Sequence, residues 1–417
     1  MIFVVLLVIS IFVVYITYAT KKSITYLWFS VFLILSYLVD GYFTDDYQYL
    51  FFSATYPKMP ADSVSNASVA VFCLLTLMVY SFLTIFFSKR TRILESSFQV
   101  NITGKFIAVC VLYTLFLSGV VAVSMQKYSL ASMLSNRQSF FEDNLLAGIA
   151  LYTAPALSVL SFTGAIWSRS LALRLFFIVV LILTFCASLV SGSRSTLVLN
   201  CILPCIFYLV IHNAQRKRQS KLSKKTIVKL VLACVVLFSL STLYRDFTRG
   251  EQEELNVFVS PDFVTFDSSS LIMQQDIGPA QTYLAAFTFL IPRVIWSEKP
   301  ISGNRYFTQE FFYERLIDSG AEITASLIGE AYINFRWFGV LSAGGLLFCL
   351  SQFIEKLFRT GGIYSVLGLI FLFRGTNIIR GDLLNTLVPL FFSFFIFYLA
   401  SVKIVLSRKH SSVRYAL

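Results

Sequence analysis

Long apolar runs with almost no charged residues recur from one end of this 417-residue chain to the other. A segment needs about 20 mostly apolar residues to cross a bilayer as a helix. Only 13% of the residues are charged, against about 25% in soluble domains. The chain is therefore predicted to be an all-α polytopic membrane protein, with one membrane domain over residues 1–417. Eleven transmembrane helices are predicted, at 2–20, 24–39, 66–87, 105–123, 145–167, 173–190, 196–212, 227–244, 336–354, 362–374 and 383–403.

Charge in the loops predicts the orientation, because short cytoplasmic loops carry an excess of lysine and arginine. Every second loop is basic, which places the N-terminus outside and the C-terminus in the cytoplasm. The net charge of +12 then divides into 21 basic and 2 acidic residues inside, and 13 basic and 20 acidic residues outside. The basic excess is a topology signal, and nucleic-acid binding is not needed to explain it.

The longest polar interval, residues 245–335, is predicted to be one large outer loop. Residues 278–296 within it are apolar, but their uninterrupted apolar part is too short to span, and Pro292 favours a break. We interpret this segment as an amphipathic helix on the outer leaflet.

Arginine is unusually frequent outside, since ten of the 13 outer basic residues are arginine. The planar guanidinium group matches phosphate oxygens, so this bias favours an anionic, membrane-anchored substrate. Each position also has a structural interpretation, as a headgroup contact, an interfacial anchor or one side of a local ion pair. The candidate cations are Arg194 in the turn SGSRS, Arg245 after the eighth span, Arg293 and Lys299 around Trp296, and Arg374 and Arg380 before the last span.

Glu330 lies on a polar stripe with Glu322, Ser326 and Asn334, at helical spacing just before the ninth span. Apolar surroundings suit a carboxylate for proton transfer, so Glu330 is our candidate general base. The alternative is a carboxylate that caps a helix or pairs with Arg336 or another outer arginine. Glu322, Asp246 and Asp382 are rival bases.

Motifs for metals and nucleotides are missing from the outer segments. Both histidines, His212 and His410, are predicted to be cytoplasmic, and the cysteines lack metal-site spacing. No glycine-rich nucleotide motif is present. We therefore predict neither a metal nor a cofactor.

Four motifs occur in order over residues 185–385: SGSR, IPRVIWSEKP, GEAYINF and RGD. Together they resemble the Wzy-type O-antigen polymerases, a family of oligosaccharide repeat-unit polymerases. The family pattern G-E-x-Y-x-N-F continues with glycine, where this chain has Arg336.

The resemblance implies a GT-C-like enzyme at the periplasmic face of the bacterial inner membrane. Such an enzyme joins undecaprenyl-pyrophosphate-linked oligosaccharides among the membrane lipids and acts with a chain-length regulator protein. Glu330 would deprotonate the acceptor, with Lys299, Asn334 and Asp382 in support. The donor pyrophosphate would be bound by Arg194, Arg245, Arg293, Arg374 and Arg380.

Two related functions remain as alternatives. An O-antigen ligase is expected to use an outer histidine, which this chain lacks. A flippase or exporter of lipid-linked saccharides would need charged groups inside the helix bundle, whereas the arginines here are predicted at its outer rim.

Overall fold

The computed structural model describes residues 2–47, 49–50, 52, 59–88, 102, 104–127, 145–168, 170–190, 264–319, 322–360 and 363–413. This part of the chain is mostly helical. Two strands of two residues each, β1 (Tyr49–Leu50) and β2 (Met59–Pro60), pair antiparallel.

The long helices follow the apolar runs of the sequence, and shorter helices lie in its more polar segments. The first half contains α1 (Ile2–Lys21), α2 (Ile24–Leu33) continued by a π-helical turn (Ile34–Val39), α3 (Asp40–Tyr47), α4 (Ser63–Phe87), α5 (Gly104–Lys127), α6 (Leu145–Trp167) and α7 (Leu171–Val190). The second half contains α8 (Thr265–Gln274), α9 (Thr282–Phe287), α10 (Gly303–Phe311), α11 (Tyr313–Ser319), α12 (Leu327–Phe335), a 3-10 turn (Arg336–Phe338), α13 (Gly339–Thr360), α14 (Ile363–Gly375), α15 (Asn377–Arg380) and α16 (Leu383–Val413).

Nine of the eleven predicted spans coincide with helices, and the predicted spans 196–212 and 227–244 lie outside the described residues. Within the described ranges, five helical segments are long and apolar enough to cross a membrane. The count of eleven therefore stays a prediction. The five segments are Ile2–Lys21, Ile24–Thr44, Ser63–Phe87, Leu327–Thr360 and Leu383–Ala400.

The predicted amphipathic helix over 278–296 is wrong in its extent. Only α9, Thr282–Phe287, is helical there, and the chain continues in turns as far as Trp296. Pro292 lacks a backbone N–H and its ring crowds the preceding helical turn. The segment is apolar as predicted, but most of its apolar residues lie in turns and not in a helix.

The chain divides into two compact units, whereas its organisation as one membrane domain stays a prediction. Unit 1 comprises Met1–Arg92, Glu253–Lys356 and Phe371–Leu390, and unit 2 comprises Ile93–Gln252, Leu357–Ile370 and Phe391–Leu417.

Buried tyrosines join the helices of unit 1 through their hydroxyl groups. The Oη atom of Tyr26 on α2 lies 2.6 Å from the Oγ atom of Ser81 on α4. The hydroxyl group of Tyr80 bonds that of Ser351 on α13. Hydrogen bonds of this kind hold helices together where lipid offers no hydrophobic driving force for their association.

Helix α8 is buried within unit 1, although three consecutive residues in it are serines. Ser270 donates to the side chain of Asn66 on α4 at 2.6 Å, and the hydroxyl groups of Ser269 and Ser326 lie 2.6 Å apart. Ser269 and Ser270 thus find partners on the N-terminal cap of α12 and on α4, whereas the buried Oγ atom of Ser268 has no hydrogen-bond partner among the described residues.

Unit 1 has two chemically different ends. At one end Lys21 donates to the carbonyl of Ser88 at 2.8 Å, and Thr25 donates to the carboxylate of Glu355 at 2.8 Å. At the other end the ring of Phe3 packs edge-on against Phe266.

In unit 2, α6 approaches α7 closely at Gly164. A Cβ atom added to Gly164 would lie 2.4 Å from the ring of Phe177. Phe177 is fully buried and also contacts the ring of Phe106 on α5. A glycine is therefore required at this crossing.

We expect Gly164→Ala to destabilise the protein by about 1–3 kcal/mol, because overpacking forces side chains or backbone to shift. Gly119→Ala on α5 is the matched control, since a Cβ atom there meets no atom within 4 Å. Thermal unfolding of both variants in detergent, followed by size-exclusion chromatography, should show a lower Tm for Gly164→Ala only. Equal Tm values would contradict the close packing of α6 on α7.

Candidate carboxylate site

Glu330 on α12 is buried and joins three segments of unit 1. Its side chain is 1% exposed. Oε1 accepts a hydrogen bond from the hydroxyl of Thr282 at 3.0 Å, and Oε2 accepts one from the backbone N–H of Leu383 at 2.8 Å. The backbone N–H of Gly303 donates to the same carboxylate. Glu330 therefore links α9 to the first residues of α10 and α16.

Gly303 allows the close approach of α10 to Glu330. A Cβ atom at this position would lie 2.7 Å from Oε1 and 2.8 Å from the carboxyl carbon. Any larger residue would displace the carboxylate from the N-terminus of α10.

Asp382 is the second buried carboxylate of the site, and it is fully buried. Oδ2 accepts from the backbone N–H of Asn304 at 3.0 Å, and Oδ1 accepts from that of Asn385 at 2.7 Å. The first N–H groups of a helix have no partner inside the helix. Asp382 and Glu330 supply these partners for both α10 and α16.

Asn334 completes the arrangement one helical turn after Glu330. Its Nδ2 atom donates to the hydroxyl oxygen of Thr282 and to the carbonyl of Glu330, each at 2.7 Å. Its Oδ1 atom accepts from the backbone N–H of Tyr283 at 3.2 Å. We call Thr282, Glu330, Asn334 and Asp382 the carboxylate network.

Burial raises the pKa of Asp382 above its ordinary value of 3.8. The hydrogen bonds from Asn304 and Asn385 act in the opposite direction, but desolvation is the larger effect. The charged form of this group is thus less favourable in the folded protein than in water.

Arg336 binds a loop of the chain, contrary to its predicted alternative role as the partner of Glu330. Its Nη1 atom lies 2.6 Å from Oδ1 of Asp276. The guanidinium group also donates to the backbone carbonyls of Asp276, Ile277 and Gly278 at 2.9–3.1 Å. For Glu330, the capping interpretation therefore fits the structure and pairing with Arg336 does not.

The backbone of Arg336 has a φ of +54°, a region that favours glycine. The glycine of the resembled sequence pattern falls at this same position. Here the contacts with Asp276–Gly278 hold an arginine in that conformation. Sequence reasoning missed Asp276 because nothing local marks it as the partner of a residue 60 positions away.

The predicted phosphate-binding arginines occupy different environments. Arg374, at the end of α14, is 3% exposed, whereas Arg380, at the end of α15, is exposed and interacts electrostatically with Asp40. Arg293 and Lys299 hydrogen-bond to carbonyls of their own loop, those of Ser297 and Ile291. Arg194 and Arg245 lie outside the described residues.

A second buried acidic group, Asp40 with Asp267, lies near Arg380 and was not predicted. Asp40 accepts from the backbone N–H of Phe266, and the hydroxyl of Thr44 donates to Asp267 at 3.0 Å. The one sequence signal was an aspartate closing the apolar run 24–39, one helical turn before Thr44.

No group of three histidine, cysteine, aspartate or glutamate side chains that could hold a metal ion occurs among the residues the structure describes. The network offers buried carboxylates and backbone donors, an arrangement that can fix the relative positions of helices. It can take up or release a proton only where a carboxylate gains access to a substrate.

We expect stability to depend on pH through Asp382. Because its pKa is higher in the folded than in the unfolded state, the folded state binds the proton more tightly. The free energy of unfolding should therefore fall as the pH rises from 3.8 through the raised pKa, by about 1.4 kcal/mol for each pH unit between the two pKa values. Asp382→Asn should be less stable at every pH, because its amide satisfies only one backbone N–H, and its Tm should vary less with pH.

Asp62→Asn is a control, because the contribution of Asp62 to stability should change with pH in the opposite direction. Asp62 caps α4, and hydrogen bonds from Ser65 lower its pKa. The stability of the wild type relative to Asp62→Asn should therefore increase as the pH rises. Parallel pH dependence of the Tm for wild type and Asp382→Asn would show that Asp382 does not titrate as inferred.

Comparison of the chain with family models, curated proteins and solved structures finds no match. The site is therefore interpreted from its own geometry.

Proposed function

We propose that this protein is a membrane glycosyltransferase that polymerises oligosaccharide repeat units carried on a polyprenyl pyrophosphate, at the periplasmic face of a bacterial inner membrane. The observation that carries the proposal is the carboxylate network. Through it, Thr282, Glu330 and Asp382 join the polar segment before α13 to the turn before α16. Three of the four motifs that resemble the polymerase family lie in or directly beside these segments.

Arg374 and Arg380 lie in the segment that leads to Asp382, at the end of unit 1 that contains the carboxylate network. An exposed guanidinium group such as that of Arg380 is able to bind a phosphate oxygen pair in bidentate fashion. In the proposed reaction the bond between the sugar and the donor pyrophosphate breaks. Positive groups stabilise the charge that develops on the leaving diphosphate. Arg194 and Arg245 are proposed to join Arg374 and Arg380 in binding the diphosphate. Arg293 and Lys299 instead hydrogen-bond to carbonyls of their own loop.

A carboxylate is proposed to take the proton of the acceptor hydroxyl as the new glycosidic bond forms. Glu330 serves this role only if a movement of the surrounding helices opens a path to the acceptor, because its side chain is 1% exposed. Asp40 is a second candidate, since its buried Oδ2 atom has no hydrogen-bond partner among the residues that the structure describes. Both residues lie at the same end of unit 1 as Arg380.

The proposed orientation is supported by the two ends of unit 1. Lys21 and Glu355 lie on segments predicted to be cytoplasmic, and they mark one end. The carboxylate network lies at the other end, which is proposed to face the periplasm. A GT-C-like architecture and a chain-length regulator partner belong to the same proposal.

Deletion of the gene in its host tests the function. We expect the ladder of surface polysaccharide on a gel to disappear, while a band with a single repeat unit on its lipid anchor remains. Loss of that band as well would favour a ligase or a flippase. An unchanged ladder would exclude a polymerase role, and restoration by the wild-type gene is the control.

In the complemented deletion strain, Arg380→Ala should reduce polymer formation on the order of 10²-fold, the typical loss for one transition-state contact. Arg380→Lys should recover only part of the activity, because lysine keeps the charge but not the bidentate geometry. Arg305→Ala is the matched control, since Arg305 is also exposed and has no assigned role. The amount of polymer is compared at equal membrane levels of each protein, and equal ladders from all three variants would remove Arg380 from the site.

A further inference from the structure

Apolar side chains are unusually exposed in the turns that follow α9. Val294 is 98% exposed and Ile295 is 76% exposed, and Phe287 and Leu290 are each more than 60% exposed. The exposed surface of a membrane-spanning helix is covered by lipid tails, but none of these four residues belongs to a candidate membrane span. Phe287 is the last residue of the short α9, and Leu290, Val294 and Ile295 lie in irregular turns. Large apolar side chains exposed together in one short segment mark a contact with a protein or a membrane.

The base of this loop is attached where an apolar helix begins. The backbone N–H of Tyr283 bonds Asn334, and the rings of Tyr283 and Phe335 pack edge-on at 5.5 Å. The chain then passes through the exposed Trp337 and Phe338 directly into α13. Tryptophan is enriched at the level of lipid headgroups. The loop therefore emerges at the height at which α13 enters the bilayer.

Two cations flank the exposed apolar residues. Arg293 directly precedes Val294, and Lys299 follows the half-buried Trp296. Partial burial, together with the neighbouring charge of Arg293, lowers the pKa of Lys299. The two positive charges are thus close enough to repel each other, and an anion bound between them would relieve the repulsion.

We propose that residues 287–299 form a membrane-docking loop. Val294 and Ile295 insert into the acyl region of the adjacent leaflet, and Arg293 and Lys299 bind phosphate groups of anionic phospholipids. The combination of apolar tip, tryptophan and flanking cations matches the layers of a bilayer surface, from acyl chains through the interface to phosphates. Contact with a partner protein would not require apolar residues, a tryptophan and cations to follow one another in this way. The proposal depends only on membrane insertion of the chain and not on the polymerase activity.

The proposal gives Arg293 and Lys299 a different ligand from the one predicted from the sequence. Both bind phosphate chemistry, but the phosphate belongs to the surrounding membrane and not to the donor pyrophosphate. Docking would fix the C-terminal end of α9, the short helix whose first residue, Thr282, belongs to the carboxylate network.

Accessibility of single cysteines tests the insertion. Val294→Cys and Glu298→Cys place thiols in the same exposed loop, one on the apolar tip and one on a solvated position. The purified full-length protein is reconstituted into vesicles of phosphatidylcholine, with or without phosphatidylglycerol, and treated with a water-soluble maleimide. The wild type, treated in parallel, reports any labelling of the native cysteines.

We expect the thiol at 294 to react at least tenfold more slowly than the one at 298, and phosphatidylglycerol to slow it further. A fluorophore at 294, but not at 298, should be quenched by nitroxide groups on lipid acyl chains. Equal reactivity at 294 and 298 in both vesicle types would overturn the proposal and point to solvent. Protection at 294 without quenching would overturn it in favour of a protein contact, such as a second copy of the chain.

The lipid-phosphate contact has its own test. In the Val294→Cys background, the additional change of Arg293 and Lys299 to alanine should abolish the effect of phosphatidylglycerol, whereas Arg305→Ala should leave it intact. If the effect survives the double change, the assignment of these cations to lipid is wrong. If inorganic pyrophosphate in pure phosphatidylcholine vesicles reproduces the effect, the cations belong to a soluble phosphate site instead.

Discussion

The buried backbone N–H groups at the starts of α10 and α16 need hydrogen-bond acceptors, and the structure of one end of unit 1 depends on this requirement. Four of them point at two carboxylates, those of Gly303 and Leu383 at Glu330, and those of Asn304 and Asn385 at Asp382. Helix N-termini buried without acceptors would cost several kcal/mol, because neither lipid nor apolar side chains can replace water. Two acidic side chains therefore satisfy two helix ends at once, and negative charge also suits the positive end of each helix dipole.

This arrangement has a consequence for movement. The side chain of Glu330 contacts α9, α10 and α16, so none of these can move alone without leaving a buried donor or acceptor unpaired. Arg336 adds a second attachment, since it holds Asp276–Gly278 just before α9. The segment from α8 to α13 is thus positioned by polar contacts rather than by hydrophobic packing alone. Hydrogen bonds with specific geometry suit a site whose groups must keep fixed distances.

Apolar run length and helical spacing predicted much of this structure, while long-range partners could not be predicted. Nine of the eleven predicted apolar helices follow from local pattern, and five helical segments are long and apolar enough to span. Of the predicted polar stripe, Glu330 and Asn334 share a face of α12, whereas Glu322 lies before this helix begins. The pairing of Glu330 with Leu383 crosses 53 residues, and no local pattern encodes it. Composition also misled at 278–296, where an apolar segment was interpreted as an amphipathic helix although only Thr282–Phe287 is helical. Pairing of Arg336 with Glu330 was one alternative that the sequence left open, whereas Arg336 donates to Asp276 and to backbone carbonyls of the loop before α9.

The distribution of polar groups along the helices of unit 1 separates structural from functional requirements. Thr25 lies near the start of α2, and Asp40 begins α3. Glu330 lies on α12, and Glu355 lies near the end of α13, where it meets Thr25. At the end of unit 1 that contains Glu355, this carboxylate joins the helices by accepting hydrogen bonds from the hydroxyl groups of Ser23 and Thr25. The opposite end contains Asp40, Asp267, Glu330 and Asp382, all buried. Burying an acidic group is costly even when it is hydrogen-bonded, and stability alone would favour fewer of them. Capping of α10 and α16 accounts for Glu330 and Asp382, and the further buried acids at this end support the proposed function.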